Sequence, residues 1–138
     1  MLDAQRVLNY FSLRVPQMLN LLEELVNRES PSTDKEATDR AVDLVETELA
    51  VLPVEAERLV QRNVGDVLRV RRESDLPAAG KPILFLTHLD TVWPVGTLSK
   101  RPFTVKHGMV TGPGVLDDKC GQVMILAMLQ ALRDLSLI

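Results

Sequence analysis

Four apolar residues, Ile83-Leu84-Phe85-Leu86, run through Thr87 straight into His88 and Asp90. A short run that is apolar on both faces is the pattern of a central strand covered by helices, and it predicts a strand over Ile83–Thr87. A second acidic group, Asp117-Asp118, follows Gly112-Pro113-Gly114, where a loop gives way to another apolar segment. Charged and metal-capable side chains at the end of a buried strand point to a site rather than to packing. The rest of the chain reads as scaffold for this stretch.

The scaffold mixes helices with strands. Residues 5–28 predict a helix, with Met18, Leu21, Leu22, Leu25 and Val26 on one stripe and Pro16 as a start or a kink. Glu29-Ser30-Pro31-Ser32 reads as a turn. Thr33 and Glu36 have capping-box spacing, and Asp34 suits the positive end of a helix dipole. The second helix runs to about Leu49, with Ala37, Ala41, Leu44, Val45 and Leu49 inward. Glu55–Arg62 and Asp66–Arg72 predict a hairpin around Asn63-Val64-Gly65, followed by a loop over Ser74–Lys81. Phe103–Lys106 and Met109–Thr111 predict a second hairpin, and Lys119 to Arg133 a buried helix. The expected class is α/β, in a three-layer arrangement.

Composition narrows the functional classes. The chain has 138 residues, 46% hydrophobic and 25% charged, which suits a single globular domain. Sixteen basic residues against nineteen acidic ones give a net charge of −3, and no basic block marks a nucleic-acid partner. A single cysteine excludes an intrachain disulfide. Val7–Val15 is interrupted by Asn9, Ser12 and Arg14, so neither a signal peptide nor a membrane span is expected. The expected setting is cytoplasmic.

In an extended segment His88 and Asp90 point the same way and Leu89 the other. A histidine that binds a metal commonly gives its second ring N–H to a carboxylate, which fixes the tautomer. Asp117 is the natural second ligand, and imidazole with carboxylates suits Zn²⁺, Co²⁺ or Mn²⁺. A lone His-x-Asp is also what a surface histidine beside an acid looks like, and Gly-Pro-Gly can be a tight turn alone. Their joint position, after an apolar run and before an apolar helix, favours a site.

His88-Leu89-Asp90-Thr91-Val92-Trp93-Pro94-Val95-Gly96, with Gly112-Pro113-Gly114-Val115-Leu116-Asp117-Asp118-Lys119 downstream, resembles the glutamate carboxypeptidase / acetylornithine deacetylase / succinyl-diaminopimelate desuccinylase family of zinc metallopeptidases. Ser30-Pro31-Ser32 after an amphipathic helix is similar to that family's opening. The resemblance implies a three-layer α/β/α zinc-peptidase-like catalytic domain, of which residues 1–138 are the N-terminal portion. It implies that His88 ligates one metal, Asp117 bridges both metals of a zinc pair (Co²⁺ or Mn²⁺ as alternatives), and Asp90 orients His88 as the supporting catalytic acid. It also implies a cis peptide bond between Asp117 and Asp118. The implied reaction is metal-dependent hydrolysis of an amide bond next to a carboxylate, in a small peptide or an N-acyl amino acid, with a glutamate as general base.

The resemblance is partial. The family's Glu-Glu pair, a further acidic ligand and a second histidine have no counterpart among these residues, and neither does its lid or dimerisation domain. Glu23-Glu24 lies in the first helix and reads as a solvated face, and His107 reads as an exposed turn residue. Cys120 stands where the family usually has glycine and reads as a small buried residue. The chain alone is therefore expected to be inactive. An apolar strand without all its neighbours also leads us to expect homo-oligomers or self-association. The competing reading is a non-catalytic fragment that serves as a binding or assembly module. No Gly-x-Ser-x-Gly elbow supports a serine nucleophile.

Overall fold

The computed structural model describes residues 3–72 and 81–137. Three helices carry the core: α1 (Ala4–Asn27), α2 (Lys35–Leu49) and α3 (Cys120–Asp134). Asp3 caps α1 by accepting from the Gln5 N–H, and Pro16 lies inside the helix rather than at its start. α2 is capped by Asp34, whose carboxylate accepts from the Ala37 N–H at 2.9 Å, so the capping residue is Asp34 and not Thr33. A carboxylate at that position adds a favourable dipole interaction to the hydrogen bond.

The apolar stripes face one another as their periodicity predicts. Leu22, Leu25 and Val26 of α1 pack with Leu44, Val45 and Leu49 of α2 and with Val123 and Leu126 of α3. At its solvent end the α1–α3 contact is tied by ions. Tyr10 donates to Asp134 at 2.8 Å, and Arg14, stacked 4.1 Å from the Tyr10 ring centre, pairs with the same carboxylate.

Strands β1 (Glu55–Leu59) and β2 (Val67–Arg71) form an antiparallel hairpin, with Glu55 opposite Arg71 and Leu59 opposite Val67. A half-buried ion network moors it to α2. Asp66 accepts from Lys35, from Arg58 at 2.8 Å and from the Gln61 N–H at 2.9 Å, while its own N–H donates to Asp39. Those donors hold the Asp66 carboxyl well below the usual carboxylate range, the Lys35 ammonium most of all. Strands β3 (Thr104–Lys106) and β4 (Met109–Thr111) pair antiparallel around His107 and Gly108. Both turn residues have positive φ, 52° and 76°, as a tight hairpin turn of this hand requires, and His107 is exposed as expected.

The strand predicted over Ile83–Thr87 does not form. The segment has no strand partner among the described residues, and Ile83, Leu84 and Leu86 are 81%, 78% and 83% exposed. A strand needs neighbours for its backbone groups, and one apolar on both faces needs a layer on each side. The described residues supply neither. The architecture is thus mixed α and β, with a helical core and two small antiparallel sheets. The loop expected over Ser74–Lys81 lies, up to Gly80, outside the described residues.

Candidate functional site

Beyond its unpaired apolar run the chain becomes well anchored. The Thr91 N–H donates to the Ser30 carbonyl at 2.7 Å, and the Ser32 N–H donates to the Thr91 carbonyl at 3.0 Å. This is a parallel bridge between Pro31 and Thr91. The fully buried Ser30 also donates its hydroxyl to the Leu89 carbonyl at 2.6 Å, and the Ser32 hydroxyl donates to the Asp90 carboxylate. Ser30-Pro31-Ser32 is therefore more than a turn. It holds Leu89–Thr91 in place where neighbouring strands do not.

The second wall is built from Gly112 onward. Gly114 has φ 71°, and a Cβ there would lie 2.6 Å from the Thr91 methyl, so glycine meets both the conformation and the close approach. An irregular turn over Val115–Lys119 follows, and the Asp117–Asp118 peptide bond within it is cis. Asp118 turns away from the cleft and accepts from the Thr87 hydroxyl at 2.7 Å. A side chain at Gly121 would run into that carboxylate.

Lys119 is the least expected member. It is 1% exposed, and its ammonium donates to the carbonyls of Leu25 at 2.8 Å and Arg28 at 3.0 Å. These are free carbonyls at the end of α1, where a cation also suits the helix dipole. Burial pushes the ammonium down to about 8, partly countered by the charge of Glu29. Glu29 in turn accepts from the Gly96 N–H at 2.7 Å and the Leu98 N–H at 3.0 Å, at the start of a short helix over Thr97–Ser99. Burial raises the Glu29 carboxyl, but those N–H groups outweigh it and hold the acid below its ordinary value.

These supports bring His88 and Asp117 together. His88 Nδ1 lies 3.0 Å from the Asp90 carbonyl, which can only accept, so this nitrogen carries the proton. Asp90 Oδ1 is 3.4 Å from the same nitrogen. The other ring nitrogen, Nε2, faces Asp117 Oδ1 at 2.9 Å. In the neutral ring that is a lone pair against a carboxylate oxygen, so a proton or another cation belongs between them. Burial pulls the imidazole down, but the Asp117 hydrogen bond and the Asp90 groups outweigh it and keep His88 above its ordinary value. Asp117 is 88% exposed and both residues line an open cleft of about 230 Å³, with Ser32, Asp90, Trp93 and Leu116.

The donor set is one imidazole nitrogen and carboxylate oxygens without thiolate, which fits the implied zinc chemistry as far as it goes. It is incomplete: among the described residues, no three metal-capable side chains converge on one point. Cys120 takes no part. It is half-buried rather than buried, with Sγ 3.6 Å from the Leu116 carbonyl. Glu23 and Glu24 are exposed on α1. The sequence reasoning placed His88, Asp90 and Asp117 but missed Lys119, Glu29 and the bridging role of Ser30 and Ser32. The one available signal for Lys119 was a lysine at the head of an almost wholly apolar helix.

Residues 84–137, which hold His88, Asp90, the cis pair and α3, match the peptidase family M20/M25/M40. That match, with the relative that follows, supports this family for the part of it that the chain spans. Carboxypeptidase G2 of Pseudomonas sp. (strain RS-16) is 35% identical over 121 residues, an alignment that covers 86% of this chain and 28% of that protein. The chain therefore spans just over a quarter of the length of the curated relative it matches. No helix among the described residues is long and apolar enough to cross a membrane.

Proposed function

We propose that this chain forms one half of the metal site of a zinc-dependent amide hydrolase, and that its residues are the N-terminal portion of a three-layer α/β/α catalytic domain. His88 and Asp117 are the residues that would hold zinc, His88 toward one ion and Asp117 shared between the two, and Asp90 fixes the tautomer and direction of His88. The observation that carries this reading is the 2.9 Å approach of His88 Nε2 to Asp117 Oδ1, with Nδ1 occupied by Asp90. When bound, zinc supplies Lewis-acid polarisation of the scissile carbonyl. The chain's own part is to present Nε2, the His88 ring nitrogen turned away from Asp90, and an exposed carboxylate at the mouth of a cleft. The proposed substrate is an amide next to a carboxylate, in a small peptide or an N-acyl amino acid, and the proposed setting is cytoplasmic.

Calorimetric titration with Zn²⁺ tests the reading. The chain takes up zinc, and His88→Ala or Asp117→Asn weakens uptake by at least about tenfold, the scale on which even supporting groups matter at metal sites. Equal uptake by both variants overturns it. A second reading, a non-catalytic binding or assembly module, is favoured by the exposure of Ile83, Leu84 and Leu86 and by the partial ligand set. Because half a site is expected to be inactive alone, turnover decides in one direction only: release of free amino acid from N-acyl amino acids in added Zn²⁺ or Co²⁺ supports the hydrolase, whereas absence of zinc uptake supports the module.

A further inference from the structure

A second groove, of about 360 Å³, adjoins the cleft and shares Trp93 and Gly112 with it. Its lining is chemically unlike that of the cleft. Where the cleft holds Asp90 and Asp117, the groove holds Arg101, Pro102, Thr104, Thr111 and Pro113, and none of its lining residues is acidic. The Arg101 guanidinium stacks over the Trp93 ring, 4.7 Å from its centre. It makes no ion pair or hydrogen bond with any described residue, although its side chain is already ordered by the ring. The Thr104 and Thr111 hydroxyls, 2.8 Å apart, add polar groups on the facing hairpin.

The shelf is also held from below. Glu29 fixes the Gly96 and Leu98 N–H groups, and the Thr91 hydroxyl accepts from the Trp93 N–H at 3.3 Å. Both ends of the loop that carries Trp93 are thus tied to groups that also build the cleft. The surface joins a flat aromatic face, a planar cation and two hydroxyls, beside an acidic, metal-capable end. Guanidinium is the side chain best matched to a carboxylate, through paired parallel N–H donors.

We infer that Trp93, Arg101, Thr104 and Thr111 form a subsite for a planar, carboxylate-bearing part of the substrate, with Trp93 as the platform and Arg101 as the charge partner. The inference rests on the hydrolase reading, which it deepens. It gives the substrate a direction: the amide lies toward His88 and Asp117, and the carboxylate reaches past Trp93. Specificity for acidic over neutral substrates then sits in this chain.

Trp93 is the single tryptophan of the sequence, so its emission reports on the groove directly. The 138-residue chain, with no metal added and at constant ionic strength, is titrated with N-acetylglycine, N-acetylglycinamide and acetate. We expect a saturable change with N-acetylglycine and a midpoint at least about tenfold weaker for the neutral amide, the scale of a charged hydrogen bond. Arg101→Gln weakens the N-acetylglycine midpoint to the same degree, and Arg101→Lys falls between because it keeps the charge without the planar fork. Arg101 is exposed on a loop, and an unchanged far-ultraviolet dichroism spectrum verifies that the variants are folded. No response, an equal response to acid and amide, or an Arg101→Gln midpoint matching the parent overturns the subsite. Acetate as effective as N-acetylglycine also overturns it, as an adventitious anion only. Zinc titration of the same sample reports on the hydrolase reading separately. Lost zinc uptake with a retained emission change removes the hydrolase and leaves a carboxylate-binding groove, whereas the reverse removes the subsite alone.

Discussion

Two apolar segments of this chain meet opposite fates. Leu25 in α1 and Leu126 in α3 are fully buried, whereas Ile83, Leu84 and Leu86 stand almost bare. Hydrophobicity does not separate them. A helix satisfies its own backbone, so a single apolar stripe suffices to dock it. An apolar strand depends on neighbours both for its hydrogen bonds and for a layer on each face. The helical part of the molecule is therefore self-sufficient, and the segment that leads into the site is not.

The contrast is most exposed to challenge at Leu25. Leu25→Ala is expected to cost about 2–5 kcal/mol in chemical denaturation, the range for a large side chain removed from a packed core. A loss under 1 kcal/mol would put the helical core on the same footing as the bare segment. A smaller effect comes from acid. Arg133 first, then Tyr10, hold the Asp134 carboxyl down at about 2, below its ordinary 3.8. The folded chain thus binds fewer protons than the unfolded chain between those values. The stability this contributes is complete above pH 4 and is lost as pH falls through 2. Thermal unfolding across that window should show the decline, and Asp134→Asn should flatten it. The smallest change in stability is expected at Leu84. Leu84→Lys should move it by no more than about 0.5 kcal/mol, because the side chain has little to lose. The same change should reduce self-association in gel filtration, where the parent chain should elute above monomer size. A monomeric parent would mean that the bare segment is harmless as it stands.

The same contrast explains what could be foreseen. All three helices and both hairpins follow from local periodicity and turn chemistry, which the described residues satisfy among themselves. The strand at Ile83 was inferred from a pattern whose meaning depends on residues elsewhere, so the pattern was present and the strand is not. His88, Asp90 and Asp117 stood out by residue type and spacing, and the structure brings the three to one cleft. Lys119 was not, because its partners are the backbone carbonyls of Leu25 and Arg28, and carbonyls leave no mark in a sequence. Glu29 was hidden for a similar reason: its partners are the N–H groups of Gly96 and Leu98.

Eight consecutive residues, from Leu25 to Ser32, touch every wall of the cleft. Leu25 and Arg28 take the Lys119 side, Glu29 the Trp93 loop, and Ser30 and Ser32 the side that carries His88. The two jaws accordingly hang from one peg, the last turn of α1 and the residues just past it. Their aperture is set by a stretch shorter than three helical turns, and among the described residues no β-ladder along Ile83–Leu86 takes part in setting it. A shift in the end of that one helix would carry His88 and Asp117 as a unit instead of prising them apart.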